Sequence, residues 1–413
     1  MQRIRMSLPY FREYNWAAEV VYVNPKYIDI STDPLLNESV PEYIKTYPVK
    51  AFSKKWTSKL GLGSIALRSL FFYKKKVNDL LRENRFDLIY FSTTQFPICT
   101  LGAYWNQKFG VPYIIDMQDP WHSEYYMSKP KNERPPKYWF SYRLNKYLEP
   151  FAMTKVDGLI SVSDAYIQTL KERYPELKDK PTSTITFGAF RKDSEIVKKQ
   201  LSELKLAFQK DNGKLNLVYI GRGGKDMHKA LALLFNAFRK GIKEAPDLFN
   251  LFRMHFIGTS YAAKGQGKPS IAPLAEEFGL EAVVTEQTDR VPFYQGLASL
   301  QHADGLIVPG SDDPAYTASK LYPYILVEKP ILGLFHKESS AVKIIEECNA
   351  GDMITFGVPE KIVYNKVKDF LKSVVEEKKP HTNWSAFEPY TAKEMTRRQC
   401  ELFEEVLKRR IKN

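Results

Sequence analysis

Cysteine is scarce: three residues in 413, Cys99, Cys348 and Cys400, lie far apart and show no C-x-x-C spacing. That excludes a disulfide framework and a thiolate zinc site. Histidine is sparse too, six residues and dispersed. The adjacent Asp312 and Asp313 have neither D-x-D spacing nor a matching third ligand, so no metal site is expected. No run approaches the roughly 18 apolar residues of a membrane span. Glu13 interrupts MQRIRMSLPYFREYNW where a secretory signal needs an unbroken apolar stretch. A spanning or secreted chain is therefore disfavoured, and the cytoplasm is the expected compartment. A G-x-S-x-G elbow is absent, and GRGGKD breaks the G-x-G-x-x-G fingerprint, which disfavours a nucleophilic serine and an NAD enzyme.

What is present is ordinary globular material, 44% hydrophobic and 26% charged residues, in a chain too long for one core. Short β-branched or aromatic runs alternate with longer amphipathic stretches, the pattern of β-α units around parallel sheets. The first half offers strands at 17–23, 86–92, 112–117, 156–163 and 183–187. A second series follows at 215–221, 254–258, 282–286, 304–310, 330–335 and 352–356. Two doubly wound sheets are implied. The charged stretch 191–213 has no strand pattern and reads as a connecting helix or linker. The expected division is thus an N-terminal domain, 1–190, the linker, a C-terminal domain, 214–383, and a final helix in 384–413. The helix-like QRIRMSLPYFREYNW precedes the first strand, with Pro9 making its turns irregular. Nucleotide-type domains open instead with a strand and a glycine-rich turn, so such an element is expected ahead of Met1.

The order of the strings FDLIYFSTTQFP, GVPYIIDMQDPW, VDGLISVSDAYIQTL, LNLVYIGRGG, ADGLIVPG and ASKLYPYILVEKPIL resembles GT-B glycosyltransferases, in particular the large retaining family 4 (group 1). The resemblance covers nearly the whole chain. It implies two Rossmann-like domains facing across a cleft, a C-terminal helix crossing back to the N-terminal domain, and a nucleotide-sugar co-substrate with no metal or other cofactor. Departure of a nucleoside diphosphate calls for cations and backbone N–H groups.

Arg222, at the end of the strand LNLVYIG, suits phosphate oxygens. Met227 stands where the family places a lysine, with Lys225 or Lys229 as the substitute. Ser319 and Lys320, in the turn from Thr317 that starts the helix LYPYIL, resemble the family's second phosphate anchor. Two family carboxylates are missing, with Pro323 and Ala315 in their places, which leaves Asp312 or Asp313 for the sugar hydroxyls or for an ordinary polar turn. On the other side, DMQDPWH offers Asp116 and Trp121 toward an acceptor, the latter to stack on a sugar, and Asp119 and His122 for proton handling. The bland reading of Asp119 is a turn cap before Pro120. His255, inside a strand, is expected in the core.

The formal charge of +13 is unevenly placed. Nine Lys and Arg and no acid lie between Tyr43 and Asn78, so the remaining residues net only +4. That segment, with Phe72, Lys74, Lys75 and Lys76 outward and Leu67, Leu70, Phe71, Val77, Leu80 and Leu81 inward, fits an anionic membrane better than nucleic acid. The expected function is transfer of a sugar, with retention, from a nucleotide-sugar to a lipid-linked or polysaccharide acceptor in cell-surface glycan synthesis, at the inner face of the membrane. The alternatives are a noncatalytic GT-B homologue that binds a true transferase, and a nucleotide-sugar epimerase or hydrolase.

Overall fold

A computed structural model describes every residue except Met1, 29–32, 123, 125–126, 128–129, 132–133, 135–137, 211–212, 314–319 and Asn413, together with the side chains of Leu60 and Lys412. The chain divides into two compact units. Unit 1 holds Met1–Thr32, Ser39–Gly188 and Ala392–Asn413, and unit 2 holds Asp33–Glu38 and Ala189–Thr391.

Among the described residues, unit 1 contains six strands. β1 (Glu19–Val23) and β2 (Lys45–Val49) form a parallel pair, and β3 (Ile89–Ser92), β4 (Tyr113–Met117), β5 (Gly158–Ser161) and β6 (Thr182–Thr184) form a parallel sheet in chain order. β4 and β5 are buried throughout, because helices cover both faces of a parallel sheet and make its central strands read as continuous apolar runs. β2 lies in the acid-free segment, which sequence patterning leaves without a strand. KTYPV is mostly exposed, and Pro48 is tolerated because β2 is an edge strand, paired to β1 alone.

The helix Gln2–Ser7 stops short of Pro9, and a 3-10 turn, Phe11–Tyr14, follows. The last helix, Ala392–Lys412, belongs to unit 1. Gln399 accepts a hydrogen bond from Ser7 Oγ at 3.0 Å, Arg398 donates to the Thr184 carbonyl at 2.8 Å, and the Phe403 ring meets those of Phe11, Trp16 and Tyr90 at 5.1 to 6.2 Å.

The helix Ile65–Glu83 starts at Ser64, whose hydroxyl accepts from the Leu67 N–H. It inverts part of the expected orientation. Phe72 packs over Val23, Val49 and Ala51, while Phe71 stands 59% exposed. The apolar ends of β1 and β2, Val23 and Val49, with Ala51 lie on the Phe72 side of the helix, and the half-exposed Phe52 ring adjoins both Phe72, at 4.9 Å, and Phe71, at 6.3 Å.

Unit 2 is a six-stranded parallel sheet of β7 (Leu215–Ile220), β8 (Phe252–Ile257), β9 (Val284–Gln287), β10 (Gly305–Pro309), β11 (Ile331–Phe335) and β12 (Asp352–Thr355), in the order 12-11-10-7-8-9. The chain runs outward from β7 to β9, then crosses back to β10. The topological switch point therefore lies between β7 and β10, where open α/β sheets place ligands at the carboxyl ends of the strands. The helix His228–Glu244 buries Ala230, Leu231, Leu234, Phe235, Ala237, Phe238 and Gly241, one stripe at helical spacing. Residues 191–213 are not an extended tether where described: they begin with the helix Arg191–Gln200, which buries Ile196 and Val197 in the core of unit 2.

Candidate functional site

The loop after β7, Gly221 to Gly224, is tied to its neighbours by main-chain bonds. Gly221 N–H donates to Ile257 O at 3.0 Å and Gly223 N–H to Thr259 O at 2.7 Å, while Asp312 N–H reaches back to Asp226 O at 2.8 Å. Glycine is required at both loop positions. A Cβ on Gly221 would collide with the Tyr219 hydroxyl, and one on Gly223 would sit 2.9 Å from Ser270 Oγ. The Tyr219 hydroxyl donates to the Arg222 carbonyl at 2.9 Å, which holds the loop's turn. Behind the loop, the Tyr324 hydroxyl bonds both the N–H and the carbonyl of Ile220, so the helix Leu321–Val327 is anchored to the end of β7.

Three cations converge here. Arg222 follows β7, Lys320 precedes the helix Leu321–Val327 after β10, and Arg290 follows β9. The Arg290 Cα packs 3.7 Å from where a Cβ on Gly258 would be, at the end of β8, and its guanidinium lies 4.0 Å from the Tyr261 ring centre. Burial pushes the Lys320 ammonium down to about 8, and the nearby charges of Arg290 and Arg222 push it the same way. Arg222 is also forked onto Asp226, whose carboxyl falls below its ordinary range chiefly through that hydrogen bond. Such a basic corner at a switch point suits a phosphate or diphosphate.

Arg290 and Asp226 were not apparent as site residues from sequence, since neither sits in a motif. The signal for Arg290 is positional: it follows a strand of the sheet that carries Arg222.

Lys225 and Lys229 are both exposed, and the Lys229 ammonium lies over the Phe356 ring at 5.1 Å. Met227 between them is fully buried in the core of unit 2. Asp312 and Asp313 belong to a polar turn in which Ser311 Oγ accepts from the Asp313 N–H at 3.2 Å. Ser319, Thr317 and Ala315 lie outside the described residues. Pro323 sits within the helix Leu321–Val327. His255 is a core residue, with its ring nitrogens on Thr285 and Asn216.

In unit 1 the string DMQDPWH does not form one open cluster. Asp116, fully buried on β4, is ion-paired with the equally buried Arg3 at 2.8 Å, and its Oδ2 also accepts from Tyr90, Ser92 and Gln118. Arg3 further donates to the carbonyls of Ile185 and Thr186. This closed network removes Asp116 from any acceptor-facing role. Trp121 is buried as well, stacked on Phe96 at 5.5 Å with its N–H on Asn145, so the expected sugar-stacking face is covered.

His122 is buried against Tyr142, ring centres 4.7 Å apart, and its pKa is lowered by burial and then by Arg173, which favours the neutral imidazole. Its main-chain N–H donates to Glu149, which also takes bonds from Arg173 and Tyr174. Asp119 alone of the four is exposed, and partial burial raises its pKa. Among the described residues no three His, Cys, Asp or Glu side chains gather as a metal would need.

No protein-family model matches this chain, and no curated protein matches it. Solved structures do. Anabaena Alr3699/HepE in complex with UDP-glucose aligns over 97% of this chain and 94% of its own, with a TM-score of 0.55 and 15% identity. The same protein with UDP and glucose gives a TM-score of 0.52 at 15% identity and the same coverage. The N-terminal domain of Candida albicans trehalose-6-phosphate phosphatase covers 89% of this chain and 84% of its own, with a TM-score of 0.52 and 12% identity. At such identities the likeness is one of fold: the chain has the α/β architecture of the GT-B glycosyltransferases, with two Rossmann-like units on parallel sheets.

Proposed function

We propose that the protein is a glycosyltransferase that takes a nucleoside diphosphate sugar on unit 2. The observation that carries this reading is the placement of Arg222 at the end of β7 and of Lys320 at the head of the helix that Tyr324 anchors to that strand end, with Arg290 after β9 near enough for its charge to act on Lys320. The diphosphate of the donor would lie on these cations. As the anomeric C1–O bond breaks, negative charge grows on the departing phosphate oxygen, and fixed cations in a partly buried corner stabilise it. The acceptor hydroxyl then bonds to C1 with retention, its proton passing to the phosphate, and no metal or other cofactor takes part. Asp119 is the exposed carboxylate offered to the acceptor, and His122, sealed in its pocket, holds position. The acceptor is lipid-linked or polymeric, and the protein acts at the cytoplasmic face of an anionic membrane in cell-surface glycan synthesis. The absence of a helix long and apolar enough to cross a membrane, among the described residues, is compatible with peripheral attachment.

Titration calorimetry with UDP and UDP-glucose tests the donor site, because the UDP-bound likeness makes uridine the first base to try. Arg290→Ala and Lys320→Ala should each weaken UDP at least about tenfold, the loss of one charge-assisted bond. A wild-type protein that binds no nucleoside diphosphate overturns the reading. Donor bound but never consumed, with any acceptor, would make the chain a noncatalytic homologue, which the residue Pro323 at a family carboxylate position favours. Donor consumed with no acceptor present would make it a hydrolase or epimerase.

A further inference from the structure

Several large exposed apolar side chains of unit 1 lie on two adjoining segments, while Tyr43, Phe71, Met127 and Ile411 stand elsewhere. The helix Tyr138–Met153 carries Trp139, Arg143, Tyr147 and Phe151 at four-residue spacing, which is one line along a helix. Trp139 and Tyr147 are each 65% exposed and Phe151 49%, while Glu149, Ala152 and Met153 of the same helix are buried. The rings of Tyr147 and Phe151 meet at 5.1 Å, and the Arg143 guanidinium lies 5.7 Å from the Trp139 ring centre. The second segment, 52–62, presents Phe52, Trp56 at 74% exposure and Leu62, with the Lys59 ammonium 5.4 Å from the Trp56 ring. The two segments touch: a Cβ on Gly61 would lie 3.3 Å from the Phe140 ring, and both wall one groove with Leu67 and Phe96.

Charge decides what such a face accepts. Residues 43–78 contain no acid, and the only carboxylate in 138–155 is Glu149, buried and paired with Arg173. The exposed charges of the two segments, Lys54, Lys55, Lys59, Arg143, Lys146 and Lys155, are all positive. Scattered apolar side chains are normal on a soluble surface, but exposed aromatics aligned along one helix, with the Tyr147 and Phe151 rings in contact, mark an interaction site. Tryptophan and tyrosine beside lysine and arginine, with Glu124, which accepts from the Tyr142 hydroxyl at 3.5 Å, as an exposed carboxylate next to the helix, match an anionic lipid headgroup layer. The rings enter it and the cations meet the phosphates.

We propose that this face, the outer side of Tyr138–Met153 together with the loop around Trp56, seats the protein on an anionic lipid bilayer. It names the surface for the membrane attachment proposed above, and it takes that role from the Lys74–Lys76 segment. Lys74 and Lys76 turn onto the Tyr104 and Tyr47 rings at 4.0 and 4.5 Å.

The test is cosedimentation with vesicles of phosphatidylglycerol and phosphatidylcholine, against phosphatidylcholine alone, at low and high salt. No sugar donor is involved, so this inference and the transferase reading fail separately. Wild type should bind the anionic vesicles at low salt. Replacing Trp139, Tyr147 and Phe151 by Ala should lower that affinity about tenfold or more, because three apolar rings no longer leave water. Lys74→Ala, Lys75→Ala and Lys76→Ala together should cost less. A second reading is intrinsic fluorescence: the blue shift on adding anionic vesicles should vanish in the Trp56→Phe, Trp139→Phe variant. No binding by wild type, or undiminished binding and an undiminished shift in these variants, overturns the proposal.

Discussion

Both terminal nitrogens of Arg222 rest on the two carboxylate oxygens of Asp226, Nη1 on Oδ1 at 3.0 Å and Nη2 on Oδ2 at 2.5 Å. The pair stands at the N-terminal approach to the helix His228–Glu244, and its fork geometry is the one a phosphate would use. Asp226 thus orients the guanidinium and cancels one charge of the corner. The two roles separate by substitution. Arg222→Ala should weaken UDP at least about tenfold, the cost of a charge-assisted hydrogen bond. Asp226→Asn, which keeps a hydrogen-bonding oxygen and removes the charge, should strengthen inorganic pyrophosphate binding by about threefold or more, since attraction no longer competes with a fixed anion. Calorimetry reads both, and a decrease for Asp226→Asn would show that orientation outweighs charge.

Lys320 gives the site a pH signature. Its ammonium ordinarily titrates near 10.5 and here near 8, so between those values the unfolded chain holds more protons than the folded one. Stability should therefore rise with pH across that window, and the penalty of the buried ammonium is fully present below it. Lys320→Met should melt higher than wild type at pH 7, with the difference closing above pH 8. A bound diphosphate stabilises the charged form and reverses the shift. Binding of UDP near pH 9 should then draw protons from the buffer, seen as a calorimetric enthalpy that tracks the buffer's ionisation heat in wild type but not in Lys320→Met.

The loop's glycine is a third test. A methyl group on Gly221 would meet the Tyr219 hydroxyl, which holds the Arg222 carbonyl at 2.9 Å. Gly221→Ala should displace that tether and weaken UDP severalfold, with a stability loss of about 1–3 kcal/mol, the usual cost of overpacking. Tyr219→Leu, which removes the ring, should ease the clash when combined with Gly221→Ala, whereas Tyr219→Phe keeps Cζ, 2.5 Å from the added methyl, and should not. A Gly221→Ala, Tyr219→Leu variant no better than Gly221→Ala would place the clash elsewhere.

The strands of unit 2 were legible because LNLVYI, GLIVP and ILGLF are apolar on both faces, as a helix-covered parallel sheet requires. KTYPV was not, since an edge strand pairs on one side only and needs no apolar pattern. Arg222 was legible from its place at a strand end, whereas Arg290 needs the sheet order to bring β9 near β7. The acceptor-side string misled for a related reason. Sequence places Asp116 and Trp121 beside Asp119, but their environments come from Arg3 and Phe96, residues distant in the chain, and these bury them. Phe71 and Phe72 exchange roles for the same reason, because Val23 and Val49, brought together by the β1/β2 pair, lie under Phe72.

The buried pair itself supplies the last test. Arg3 and Asp116 have no exposed side-chain surface, and they lie 113 residues apart at 2.8 Å. Burial raises the Asp116 pKa, while the guanidinium of Arg3 and the bond from Gln118 oppose that rise. Asp116 Oδ1 has no hydrogen-bond partner among the described residues, so the carboxylate depends on what reaches its other oxygen. Removing one charge strands the other in a low-dielectric interior, a loss of about 3–5 kcal/mol, whereas removing both leaves only a packing defect. Arg3→Met and Asp116→Leu should each shift the urea midpoint of unit 1 sharply downward. The double variant should be more stable than either alone, since no unpaired charge remains. The readout is urea unfolding followed by circular dichroism, with UDP binding measured beside it. Because Arg3 and Asp116 belong to unit 1, UDP binding on unit 2 should be unchanged at low urea. Additive losses in the double variant would mean that the two side chains act on stability independently, and the pair would then be incidental to the packing of the Gln2–Ser7 helix.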